Sequence, residues 1–338
     1  AAPPTRRGRL ARAVEVHRQE ASSLVEGRRG ALAAHLGKLP VWSWLPVCLV
    51  AAAALVGTAL PQPVADAVAV ALVGLVGVPH GATDHLLFER LTGTGATGRA
   101  SFSVGYVAVM AAVASFIFLQ PWWGVCAFLA ASSYHWGLSH GDGFSPRRVL
   151  LGGAIIHQLS AWHAADVLAI CGMLAPGRGE QVATVFDVIG LSGSLGFGVF
   201  AIKSLFFEGR TEAEPREVLA KEVALLAATA RLSASSGLLW SFAVYFSLGH
   251  AVEGWRQQFA RQQDVTDRFW EYYCLSLPFT LLCYAGGAGA LWLTARDASA
   301  TSMALAALLA GPVPHILLQE WVAASSRDAA LHPRSARA

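Results

Sequence analysis

VADAVAVALVGLVGVPHGATDHLLF, residues 64–88, decides the reading of the whole chain. The run is about 25 residues long and almost wholly apolar, enough for a helix to cross a bilayer core of about 30 Å. It ends in a proline, two histidines and an aspartate: Pro79, His80, Asp84 and His85. A polar ring or a carboxylate in hydrocarbon is costly unless it finds a partner, so such groups face the interior of a bundle and mark a site of function. If the stretch stays helical, His80 and Asp84 stand about one turn apart on one face. Asp84 is then placed to take the far ring nitrogen of a ligating histidine and fix its tautomer.

The rest of the chain extends this pattern. Of its 338 residues 54% are hydrophobic and 14% charged, against roughly a quarter charged in soluble domains. Apolar runs predict spans near 41–60, 64–88, 102–119, 122–141, 149–174, 182–206, 233–254, 271–295 and 299–321. The fold class expected is all-α, a polytopic integral membrane bundle of eight or nine transmembrane helices. Residues 39–325 form one transmembrane domain; a polar loop and an interfacial helix near 207–232 lie on the membrane, and 326–338 are a polar tail.

Residues 1–38 carry eight of the 25 Lys and Arg and are expected as a basic cytoplasmic segment. No aromatic or motif context there points to nucleic acid. With the N-terminus inside, the loops around Arg90, Arg147 and Lys203 fall on the cytoplasmic side, whereas that with Arg256, Arg261 and Arg268 falls outside. Either one span is wrong or the helix at 217–232 enters the membrane. The five cysteines stand singly in apolar surroundings and read as buried free thiols.

Eleven histidines occur, and eight fall inside or at the edge of the expected spans: His80, His85, His135, His140, His157, His163, His250 and His315. One such ring is explained by a hydrogen bond to a neighbouring helix; eight in one bundle are not. Neutral imidazole is a common ligand for Fe, Zn, Cu and Ni, and bundle cores hold such sites. His135 and His140, five apart, reach one metal only if the helix breaks near Gly137 or Gly141. His163 is followed by Asp166, His250 by Glu253, and His315 follows Pro312 and Pro314.

The motifs resemble those of the Brp/Blh family of bacterial and archaeal membrane proteins, associated with cleavage of β-carotene to retinal by a ferrous dioxygenase. Gly77 through His85 match its G-x-P-H-G-A-x-D-H stretch; Tyr134-His135-Trp136-Gly137 is similar to its aromatic H-F-G element. Tyr245-Phe246 through His250 match a Y-F-x-x-x-H element, and Pro314-His315 a terminal P-H element. The resemblance implies that His80, His135 and His250 are metal ligands. Two positions depart from the pattern: Gly254 stands where a second late histidine is usual, and His140 where an aspartate is usual. The missing ligand is then to be sought among His140, Glu253, His163 and His315.

The resemblance implies a membrane-embedded Fe(II) oxygenase, with another divalent metal as the alternative cofactor, in a bacterial inner membrane. Its partners are molecular oxygen, lipid, and an apolar polyene or isoprenoid entering from the bilayer along Trp136, Trp162, Tyr134, Tyr245 and Phe246. Tyr134, Asp84 and Glu253 are the candidate catalytic residues. The alternatives are a metal-dependent enzyme with a different reaction on an isoprenoid lipid, and a metal or proton transporter, which would show paired broken helices in two halves.

Overall fold

The computed structural model describes residues 40–137, 145–206, 216–262, 266, 268–296 and 300–331, and every regular element among them is helical. The basic segment 1–38, His140 and the loop 207–215 lie outside the described residues. The chain divides into a leading unit, Ala1–Leu45, of which only 40–45 are described, and a second unit, Pro46–Ala338, which holds all that follows.

In order the helices are α1 (Pro40–Gly57), α2 (Gln62–Leu72), α3 (Val78–Gly81), α4 (Asp84–Thr92), α5 (Ala96–Leu119), α6 (Pro121–Gly137), α7 (Pro146–Ala161) and α8 (Ala164–Leu174). Next come α9 (Gly179–Phe206), α10 (Arg216–Ser235), α11 (Leu238–Val244), α12 (Val252–Arg261), α13 (Phe269–Thr294), α14 (Ala300–Ala310) and α15 (Pro312–Leu331). Two π-helical stretches interrupt the pattern, Val73–Gly77 between α2 and α3 and Tyr245–Ala251 between α11 and α12.

Five stretches are long and apolar enough to cross a membrane: Gln62–Thr92, Thr97–Leu119, Gly179–Ser204, Phe269–Thr294 and Ala300–Val322. A sixth counts if α7 and α8, bent by 97°, are one span. The eight or nine expected from hydropathy are therefore too many among the described residues. Apolar composition records burial in lipid or protein alike, and it does not register where the chain turns. The run 233–254 is cut at Gly237, whose extended backbone (ψ 163°) ends one helix before α11 begins. Of the run 122–141 the described part is a 17-residue helix, Pro121–Gly137, and 138–141 lie outside the described residues. In the first run the apolar part of α1, Trp44–Gly57, is too short to count as a span.

Close helix crossings build the centre of the bundle. A Cβ on Gly137 would collide with the Arg148 carbonyl, one on Gly152 with the Ser133 carbonyl, and one on Gly193 with the backbone of Gly153. Helices α6, α7 and α9 thus meet backbone to backbone, the way small residues let helices associate where lipid gives no hydrophobic drive. Ala154 and Ile155 are fully buried on α7. Helix α10 packs against α7 and pairs Glu222 with Arg147 at 3.2 Å. Burial holds the Glu222 carboxyl above its ordinary range despite the two arginines beside it. The helix expected near 217–232 is present as α10 and packs on α7.

The two π-helical stretches face each other: a Cβ on Gly77 would strike the Phe246 ring. Their contact sets the axis around which the histidines gather. Replacing Gly152 by Ala should force α6 and α7 apart and cost about 1–3 kcal/mol, the usual penalty of overpacking. Thermal unfolding of the purified protein in detergent checks this, with Gly105→Ala, in open space on α5, as the neutral control.

Candidate metal centre

Four helical segments each bring one histidine to a common point. His80 comes from α3, at the end of the first break; His135 is near the end of α6; His250 lies in the second π-helical stretch; His315 is in the first turn of α15. All four are buried. His80, His135 and His315 each offer a ligand nitrogen, and these nitrogens lie within 4.8 Å of one another. The His250 ring packs edge-on against two of them, its centroid 4.7 Å from that of His135 and 5.3 Å from that of His80. Rings of His80 and His135 lie 5.2 and 5.1 Å from His315.

The far nitrogens are tied down. His315 Nδ1–H donates to both carboxylate oxygens of Asp84, at 2.9 and 2.8 Å. His80 Nδ1–H donates to the Gly77 carbonyl. Each bond fixes a tautomer and turns Nε2 toward the cluster. His80 Nε2 is buried and meets no hydrogen-bond partner among the described residues, an expensive state for a ring nitrogen unless something else is to occupy it. A donor set made only of imidazoles suits Fe, Zn, Cu or Ni, so these residues fit a bound divalent metal. Asp84, 1% exposed, places one negative charge next to that position and offsets half of a divalent charge in a medium where charges are poorly screened.

Asp84 itself is held by the chain around it. Helix α3 ends at Gly81 and α4 starts at Asp84, so the continuous helix that would stack His80 over Asp84 is absent, and Asp84 serves His315 in place of His80. Thr83, fully buried, donates from Oγ1 to Gln258 Oε1 at 2.7 Å and so pins this corner to α12.

A family described as beta-carotene 15,15'-dioxygenase matches residues 71–323, three quarters of the 338-residue chain. The chain belongs to the beta-carotene 15,15'-dioxygenase family. In this dioxygenase-family member the matched stretch contains all four clustered histidines, from the first break to the start of α15. No curated protein and no solved structure matches the chain.

Several expected site residues of this dioxygenase-family chain lie elsewhere. His163 caps the bend between α7 and α8, with Nδ1 3.9 Å from Asp166 and Nε2 3.5 Å from Ser241 Oγ. Glu253 accepts from Arg256 at 2.9 and 2.5 Å and from Gln257 at 2.5 Å, which commits its carboxylate to its own helix. Tyr134 is half-buried and, one residue before His135, projects about 100° away from it around α6. His140 lies outside the described residues. His85 stacks on Phe279, and His157 Nδ1 pairs with Ser194 Oγ at 2.8 Å.

Aromatic rings pack beside the cluster. Phe242 stacks on Phe246 with centroids 5.5 Å apart, and Phe246 stacks on His250 at 6.1 Å. Trp136 contacts Phe242 and Tyr245. Trp162, expected here, is instead 57% exposed on the outside of the bend. Sequence reading passed over Phe242, Thr83 and Gln258. The spacing of Phe242, Phe246 and His250, four residues each, was the available signal for the first; nothing local marks the other two. Thr83→Val should leave Gln258 Oε1 buried without its donor and cost about 1–3 kcal/mol, read as a lower unfolding temperature.

Proposed function

We propose that the chain is an iron(II)-dependent oxygenase of the Brp/Blh type that takes a carotenoid from the bilayer and cleaves β-carotene to retinal. The observation that carries this reading is the buried cluster of imidazoles, free of carboxylate ligands, inside a chain of the beta-carotene 15,15'-dioxygenase family. His80, His135 and His315 are the proposed ligands, with His250 completing the set. On this reading His315, oriented by Asp84, takes the place of the histidine missing at position 254.

A ferrous ion held there supplies the activation of dioxygen that amino-acid side chains lack. Everything else is the task of the protein. Gly77 and Asp84 hold His80 and His315 in fixed tautomers. The stacked rings of Phe242 and Phe246 lead from a face where Phe242 is 36% exposed to the buried His250, a path on which a flat polyene gains from burial and ring contact. The apolar surroundings exclude water from the reacting double bond. One dioxygen adds across one carbon–carbon double bond, and each of the two aldehydes keeps one oxygen atom.

The departure at Gly254 favours one second reading, a metal-dependent enzyme with a different reaction on an isoprenoid lipid. Expression in a β-carotene-producing bacterium separates the two. Retinal appearing with loss of orange colour, and iron in the purified protein, is the outcome expected here; bound metal without retinal supports the second reading. Protein that holds no metal overturns both.

Single changes of His80, His135 or His315 to Ala should lower the metal content to background while the bundle still accumulates in the membrane. Asp84→Asn should weaken metal affinity by about 10–100-fold, the usual effect of losing a carboxylate behind a ligating histidine. A metal titration of the purified protein measures it.

A further inference from the structure

The first break leaves main-chain carbonyls without helical donors, and its sequence says which. The Val78 N–H bonds to the Val73 carbonyl, in the wider π register. Gly74 therefore loses the donor it would have in an α-helix, and its donor in the π register would be Pro79, which has none. Leu75 loses its α-helical donor to the same proline. In a water-free bundle an unsatisfied carbonyl costs several kcal/mol.

Two tyrosines of α13 fill these places, and a tryptophan of α12 serves the carbonyl that follows. Tyr284 O–H, on α13, donates to the Gly74 carbonyl. Tyr273 O–H, on the same helix, donates to the Leu75 carbonyl at 2.9 Å. Trp255 Nε1–H, on α12, donates to the Val76 carbonyl at 3.1 Å. The next carbonyl, Gly77, is the one that holds His80 Nδ1–H. Four consecutive carbonyls are thus served by four side chains, the last of them His80.

We propose that Tyr273, Tyr284 and Trp255 are positioning residues for His80: by holding the carbonyls of residues 74–76 they fix the broken backbone that aims its ring at the metal position. This rests on the reading of the histidine cluster as a metal centre. The tyrosines touch neither metal nor substrate. Phenylalanine in their place keeps the ring packing and removes only the donor, so the carbonyl is left to pull the break toward another register.

The test is Co(II) binding by the full chain purified in detergent, followed by its visible d–d bands and by titration, without any turnover. Tyr273→Phe and Tyr284→Phe should each lower Co(II) affinity about fivefold, as expected for one net hydrogen bond, and shift the bands at saturation. Together the two changes should lower affinity further. Trp292→Phe, on the exposed side of the same helix, should change neither.

Wild-type chain that binds no Co(II) overturns the metal-centre reading and the inference with it. Wild-type binding with unchanged affinity and bands in the double variant overturns the positioning inference alone. A lower unfolding temperature of the metal-free variants with unmoved bands does the same, because it shows support of the bundle without control of His80. Should Tyr273→Phe not accumulate, Tyr284→Phe, at a residue 38% exposed, carries the comparison.

Discussion

A polar backbone group inside an apolar bundle has to find a donor or acceptor within the protein, and the arrangement of this molecule follows from that constraint. The stretch between Val73 and Asp84 breaks its own hydrogen-bond ladder twice, by widening into a π turn and by placing a proline at position 79. The break turns His80 inward, and it leaves two carbonyls that α13 serves with tyrosines, while a tryptophan of α12 bonds the next. A second π stretch at 245–251 lies against the first and carries His250. Irregular helix is tolerated in such a bundle where other groups of the protein satisfy its backbone, and a histidine of the cluster lies in or directly after each irregular segment.

The same economy governs the imidazoles. His80 has its Nδ1 bound by its own backbone and His315 by Asp84. Close approach of helices makes such precision possible. Backbone-to-backbone contact at Gly137, Gly152 and Gly193 leaves α6, α7 and α9 little room to slide, and His135 sits two residues before the first of these glycines. Interiors packed in this way hold side chains in one arrangement, because small shifts already lose contact energy.

Much of this was legible in the sequence, though unevenly. The all-helical, membrane-type character followed from apolar runs, and the family's match over residues 71–323 includes the Gly77–His85 motif. The number of spans was overestimated because hydropathy averages over breaks such as Gly237 and the bend after Ala161. At the site, eight histidines in apolar surroundings announced a cluster, but spacing relates residues only along one helix. It linked Asp84 with His80, four residues away; folding gave Asp84 to His315, 231 residues away. Likewise Glu253 and His163 stood as plausible as His315 until their own neighbours, Arg256 and Asp166, were placed. Long-range pairing in a bundle is decided by which helix faces cross, and no local pattern carries that information.

The separation of Asp84 from His315 also bears on how the molecule is made. His80 leaves the ribosome early, whereas His315 belongs to the last described helix. Nascent chains fold from the N-terminus as they emerge, so the first break is built and lodged in the bilayer long before its counterpart exists. Until α15 arrives, Asp84 is a carboxylate in hydrocarbon without the ring that receives it. Arrival of that helix completes the cluster and adds the His315 ring N–H to the Tyr106 O–H as donors to Asp84. On this order of synthesis the Asp84–His315 bond closes late, joining the start and the end of the family-matched stretch 71–323.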